Sequence, residues 1–175
     1  LKAELTRQAD AVVDIPIVIG GERIRTGDTV DVTMPCDHGH VLARAHLPTP
    51  ELVDKAIASN LAAQADWAAL SWEDRAAVLL RAAALLTGPW RDRINAATML
   101  GQAKTPHQAE IDSACELIDF WRFNTDYYRA MLEQVQPPRS PTGMWNRVEL
   151  RPLEGFVFAV TPFNFTSIAL NLPTA

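Results

Sequence analysis

Asn164 is the side chain in this sequence best suited by type and place to do chemistry. It follows residues 156–160, Phe-Val-Phe-Ala-Val, a continuously apolar run that predicts a central strand covered on both faces. Ligands of open α/β sheets bind beyond the carboxyl ends of the strands. An uncharged amide with two N–H donors at that place can stabilise a developing oxyanion. The alternative is a turn former whose side chain bonds its own backbone. Asn164-Phe165-Thr166 also spells a glycosylation sequon, which fits poorly with an acidic, intracellular type of composition.

Two cysteines, Cys36 and Cys115, are other candidates. Cys115 lies within a helical pattern, with Asp112 and Glu116 close by in sequence. Adjacent acids raise a thiol's pKa and suppress the reactive thiolate, so Cys115 is expected to be structural. Cys36-Asp37-His38-Gly39-His40 gathers three metal-ligand types, yet such a short run rarely closes a site alone and is expected to form a turn. No metal is assigned. Trp67, Trp72, Trp90 and Trp121 fall at helix ends and faces, where packing is the expected role.

The elements that must position these residues follow from periodicity. Residues 1–13 predict a short helix, and residues 15–19 a strand before the Gly20-Gly21 turn. Alternation at residues 29–32 and 41–45 predicts half-buried strands. Thr49-Pro50-Glu51 starts a helix with Leu52, Val53, Ala56, Ile57 and Leu61 as its buried stripe. Ser71-Trp72-Glu73-Asp74 resembles a capping box and starts a second helix, which ends at Gly88-Pro89 with glycine expected in the left-handed conformation. A third covers residues 90–100 and stops at Gly101. Thr105-Pro106 opens a fourth running to about Val135, with Ile111, Cys115, Ile118, Thr125, Tyr128 and Leu132 on one flank. Phe120, Phe123 and Tyr127 form another, so burial on two sides is expected. Beyond the proline-rich residues 137–142, strands are expected at residues 145–151 and 156–160.

The 175 residues suffice for one domain, or one and part of a second. Sixteen basic against twenty-one acidic residues give a net charge of −5, which argues against nucleic acid and anionic membranes as partners. The chain opens at Leu1 and closes on Asn171-Leu172-Pro173-Thr174-Ala175, without a charged tail. Such ends are expected of a piece of a longer protein, and a targeting segment could have preceded it.

Two stretches resemble the aldehyde dehydrogenase superfamily. Glu154-Gly155-Phe156-Val157-Phe158-Ala159-Val160-Thr161-Pro162-Phe163-Asn164-Phe165-Thr166 resembles its asparagine motif. Gln108-Ala109-Glu110-Ile111-Asp112, with Glu116-Leu117-Ile118-Asp119-Phe120-Trp121-Arg122-Phe123-Asn124, is similar to its pyrroline-5-carboxylate dehydrogenase branch, which oxidises L-glutamate γ-semialdehyde. The resemblance extends over nearly the whole chain from about Ile15.

That resemblance implies an α/β fold: a β-section, helices, and the first βα element of a Rossmann-like cofactor domain. It implies NAD as cofactor, with Thr161, Pro162 and Phe163 along its strand-end backbone. Asn164 is implied as an oxyanion donor, and Phe165 as packing on the aliphatic part of the substrate. Glu116 is implied near the substrate's amino group, where a carboxylate suits an ammonium; the bland alternative is a solvated helix residue. The family's nucleophilic cysteine and general-base glutamate fall beyond Ala175, so this stretch alone is expected to be inactive. Leu170 stands where the family usually has glycine, adding bulk near the cofactor. The expected division is an N-terminal helix at residues 1–14, the β-section and helices at 15–136, a linker and oligomerisation arm at 137–152, and the start of the βα core at 153–175. A dimer or larger homo-oligomer is implied, in the cytoplasm or, for a eukaryote, the mitochondrial matrix. An aldehyde dehydrogenase of other substrate and a non-enzymatic helical interaction module are the alternatives.

Overall fold

Proline and glycine cut the β-section into shorter pieces than hydropathy suggests. The structure, a computed structural model, describes residues 1–134, 137 and 139–169. After helix α1 (Lys2–Ala9), the apolar run at 15–19 divides at Pro16 into β1 (Val13–Ile15) and β2 (Ile17–Ile19). Proline has no N–H to give a ladder. Gly20 (φ 56°) and Gly21 (φ 84°) make the two-residue turn from β2 into β3 (Glu22–Ile24). Tight hairpins of this kind need positive φ at both central residues. β4 (Thr29–Met34) and β5 (Asp37–His46) form a bulged antiparallel pair, with β1 parallel to β5 on its other side, in the order β1-β5-β4. His46 closes this layer: its Nδ1 accepts from the Thr26 and Gly27 N–H groups at 3.1 and 3.2 Å. That pattern requires the proton on Nε2, which lies 3.0 Å from Asp14 Oδ1.

The helices start where their caps predict. Thr49 Oγ1 accepts from the Leu52 N–H at 3.4 Å and opens α2 (Pro50–Ala69); Ser71 Oγ accepts from the Asp74 N–H at 3.1 Å and opens α3 (Trp72–Thr87). Their ends depart from expectation. Gly88 has φ −107° and ψ −106°, outside the left-handed region, and its N–H donates to the Leu85 carbonyl. Helix α4 (Arg91–Gln102) passes through Gly101 and stops two residues later, at Ala103 with φ 52° and ψ 36°. Thr105 and Gln108 form a reciprocal capping box at the start of α5 (Pro106–Ala109). The chain then widens into a π-helical segment (Glu110–Cys115) before α6 (Glu116–Gln134). The expected fourth helix is therefore one rod with a π insertion; Val135, its expected end, lies outside the described residues.

The core lies where α3 meets the rod. Ala83, Leu86, Ala114, Leu117 and Ile118 are buried together, with Ile94 and Trp121 packed against them. Alanines at 83 and 114 have almost no exposed surface, which lets the backbones approach closely. Trp72 meets Tyr128 edge to face, with ring centroids 6.4 Å apart, a packing role as expected. The second flank of the rod is not buried among the described residues: Phe120, Phe123 and Tyr127 are exposed, and Phe123 stacks on Tyr127. Likewise α2 has no fully buried residue, and Val53 and Leu61 of its expected stripe are exposed.

Neither predicted C-terminal strand forms among the described residues. A strand exists as a member of a sheet, and neither described sheet extends to residues 145–151 or 156–160. The apolar run is left open, with Phe158 80% exposed. This tail is nonetheless tied down at intervals. Gln64 Nε2 on α2 donates to the Leu153 carbonyl at 2.7 Å, and residues 163–167 return to the helical layer.

Candidate functional site

Where α4 crosses the π segment, polar side chains replace the apolar packing. The Glu110 carboxylate takes hydrogen bonds from the Arg91 guanidinium and from Asn95 Nδ2 at 2.5 Å. Asn95 is 3% exposed, and its Oδ1 lies 3.1 Å from the hydroxyl of Ser113, which has no exposed surface. The Ser113 hydroxyl also lies 2.5 Å from the Ala109 carbonyl, one turn back. Buried polar groups persist only when hydrogen-bonded. The Arg91 guanidinium, seconded by Asn95, holds the Glu110 carboxyl below the usual glutamate range, although burial opposes it.

The C-terminal turn docks on this lock. Ser167 Oγ donates to the Ser113 carbonyl at 2.9 Å. Lys104 Nζ donates to the Asn164 carbonyl at 2.9 Å, pairs with Asp112 Oδ2 at 2.5 Å, and sits 4.7 Å from the centre of the Phe165 ring. Gln102 Nε2 donates to the Phe163 carbonyl at 3.5 Å. Asn164 is exposed and, among the described residues, its side-chain amide makes no hydrogen bond to its own turn.

The remaining predicted residues are placed as follows. Thr161 and Pro162 are exposed and Phe163 is 97% exposed, so the edge of chain expected to meet a cofactor faces solvent. Phe165 is half-buried under Lys104. Glu116 opens α6, half-buried, and its carboxylate has no hydrogen bond or ion pair among the described residues. It stands four residues beyond Asp112, so Lys104 ties the Asn164 turn to the rod that carries Glu116. Leu170 lies outside the described residues.

Cys115 is half-buried, and its thiol pKa is pushed up, first by burial and then by the charge of Glu110. The direction agrees with expectation. The acids responsible are Glu110 and Asp119, rather than Asp112 and Glu116. Cys36 is exposed on the turn between β4 and β5, while Asp37, His38 and Gly39 already belong to β5. His40 Nε2 is 2.8 Å from the Ala9 carbonyl. Among the described residues no cluster of three His, Cys, Asp or Glu could hold a metal.

Sequence reasoning missed Lys104, Asp112, Asn95, Ser113 and Ser167. A lysine two residues past a helix and a serine within a helical run carry no signal of their own. The π insertion that brings them together has no hydropathy signature.

Comparison with known proteins gives the site its setting. Residues 24–174 match the aldehyde dehydrogenase family. The chain is 48% identical over 166 residues to the Delta-1-pyrroline-5-carboxylate dehydrogenase of Agaricus bisporus, covering 95% of this chain and 30% of that one. It is 47% identical over 161 residues to the human mitochondrial Delta-1-pyrroline-5-carboxylate dehydrogenase, covering 92% and 28%. The crystal structure of the Delta-pyrroline-5-carboxylate dehydrogenase from Mycobacterium tuberculosis, also solved with NAD bound, superposes with a TM-score of 0.93 at 53% identity. That match covers 99% of this chain and 32% of the other. The chain thus spans about three-tenths of the length of the relatives it matches.

The lock has a pH signature. The folded pKa of Glu110 is lowered, so its contribution to stability is present above the unfolded value and lost as pH falls through the folded one. Glu110→Gln is expected to melt at lower temperature than the wild type above about pH 5, and the gap is expected to close progressively below about pH 4. Thermal unfolding followed by circular dichroism across this range checks it; a gap independent of pH contradicts the ionic account of Glu110.

Proposed function

The chain belongs to the aldehyde dehydrogenase family, and from that premise we propose that it is the N-terminal part of an NAD-dependent dehydrogenase of L-glutamate γ-semialdehyde. The observation that carries the proposal is an uncommitted Asn164 amide on a turn that Lys104 ties to Asp112, four residues before the half-buried, unpartnered Glu116 carboxylate on the same rod. The identity to the pyrroline-5-carboxylate dehydrogenases supports the choice of substrate.

The chemistry follows from these side chains. The family's nucleophilic cysteine and general base belong to the part of the relatives' length that this chain does not span. When an aldehyde is attacked, its carbonyl oxygen gains negative charge. The two N–H donors of Asn164 meet that charge without carrying one of their own. Glu116 offers the substrate ammonium an opposite charge in a half-buried place, where an unpaired carboxylate is costly to keep. Phe165 presents an apolar ring to the methylene chain. The exposed chain at Thr161, Pro162 and Phe163 leaves its backbone open to one edge of a dinucleotide. NAD, when bound, accepts the hydride released at the substrate carbon.

The same reading divides the chain at residues 14, 136 and 152 and treats residues 137–152 as an arm that pairs with a second copy. The exposed Trp145 and Leu150 support an interface there. No described helix is long and apolar enough to cross a membrane. The human and Dictyostelium discoideum relatives are named mitochondrial, which favours the matrix for a eukaryotic host and the cytoplasm otherwise.

Two substitutions in the complete protein test the reading. Asn164→Ala is expected to lower turnover by about 10²- to 10³-fold, the usual loss for one oxyanion donor, with little change in melting temperature. Near-normal turnover removes the oxyanion role. Glu116→Gln keeps shape and removes charge. Its catalytic efficiency toward glutamate semialdehyde is expected to fall by about 10- to 150-fold, the value of a hydrogen bond to a charged group. Efficiency toward a short aliphatic aldehyde should hold. Parallel losses on both substrates make Glu116 structural and leave an aldehyde dehydrogenase of other substrate.

A further inference from the structure

We infer that Lys104 is the positioning residue of the oxyanion donor: anchored on Asp112, its ammonium holds the Asn164 carbonyl and so fixes where the Asn164 amide can donate. The inference rests on the proposed oxyanion role of Asn164 and adds a residue that the asparagine motif does not contain.

Three observations carry it. The first is the number of partners. Lys104 is 18% exposed and engages a carboxylate at 2.5 Å, a carbonyl at 2.9 Å and an aromatic face at 4.7 Å. A lysine side chain loses much rotamer freedom when ordered, and exposed lysine–carboxylate pairs contribute little. This lysine is neither exposed nor limited to one partner, and two of its three contacts fall on consecutive residues, Asn164 and Phe165.

The second is the backbone at Ala103. A non-glycine residue in the left-handed region is uncommon, and such strain persists only where the surroundings impose it. Its two neighbours, Gln102 and Lys104, are the residues that reach the carbonyls of Phe163 and Asn164. The strained turn sends the side chains on either side of Ala103 to consecutive carbonyls of the site.

The third is the state of Asn164 itself. It is exposed, and among the described residues its amide makes no bond that fixes it. Its place is therefore set through its main chain, by Lys104 at the carbonyl and by the Ser167 bond three residues on. An oxyanion donor is effective only when it is held in place before the charge develops. Lys104 touches no reacting atom and acts through Asn164.

The test uses the complete protein and two aldehydes, glutamate semialdehyde and a short aliphatic aldehyde. Lys104→Met keeps the stem and removes the ammonium. Its kcat is expected to fall about 10- to 100-fold, the scale of a group misplaced by about an ångström. KM is expected to move less than about threefold. Both substrates should lose alike, because every aldehyde develops the same oxyanion. Lys104→Arg, which keeps a charged donor, is expected to restore most of the turnover. In an Asn164→Ala background, Lys104→Met is expected to cost less than about twofold, the non-additivity of two residues acting as one.

Unchanged kcat in Lys104→Met beside a crippled Asn164→Ala overturns this inference and leaves the functional reading standing. A full additional loss in the Asn164→Ala background also overturns it. Normal turnover in Asn164→Ala alone removes both together. If glutamate semialdehyde is not a substrate, the aliphatic aldehyde still decides the role of Lys104. Where Lys104→Met does not fold, Asp112→Asn takes its place. It keeps the lysine and removes its anchor, with an expected loss of about 3- to 30-fold in kcat that disappears in the Asn164→Ala background. No loss overturns the inference.

Discussion

The hydrogen-bonded carboxylate of Glu110 fixes the crossing on which the rest of the site depends. It joins Arg91 and Asn95 of α4 to the start of the π segment, and Asn95 passes the connection on to Ser113. A carboxylate in such a place costs desolvation unless its lone pairs are met, and here three donor groups meet them, with Cys115 Sγ the third at 3.6 Å. The apolar core is built one turn further along the rod, from Ala114, Leu117 and Ile118 against α3. Polar lock and apolar core thus share one helix. A shift of either displaces the other.

The π segment turns that crossing into a site. A wider turn lets the carbonyl of Ser113 accept from Ser167 and sets Asp112 where Lys104 can reach it. π insertions are rare and recur at functional places, because they turn side chains away from the regular helical face. Glu116 lies directly after this insertion, at the first position of α6. The Asn164 turn is held by the helical layer, while the apolar run before it has no sheet among the described residues to join.

Local chemistry was the most legible part of the sequence. Thr49-Pro50, Ser71 and Thr105-Pro106 each open a helix as their side chains predict, because a cap acts within one turn and needs no distant partner. Elements that depend on neighbours were not legible. Residues 156–160 have the composition of a central strand, but composition does not supply the adjacent strand. Gly101 is a helix breaker by type, yet Ala103 ends α4, where the contacts of Gln102 and Lys104 outweigh intrinsic propensity. Asn164 was singled out through its motif and Glu116 through resemblance. Lys104 and Asp112 were not found, since eight residues of separation across a helix start give no periodic signal.

The lock around Glu110 governs the order of the Asn164 turn through Ser113 and the π segment. Hydrogen exchange on the complete protein, comparing wild type with Asn95→Ala, tests it most directly, because Asn95 makes none of the turn's hydrogen bonds itself. Faster exchange is expected both at residues 110–116 and at residues 164–169, since the turn docks on a backbone that the lock holds. Faster exchange confined to residues 91–116, with residues 164–169 protected as in wild type, contradicts it.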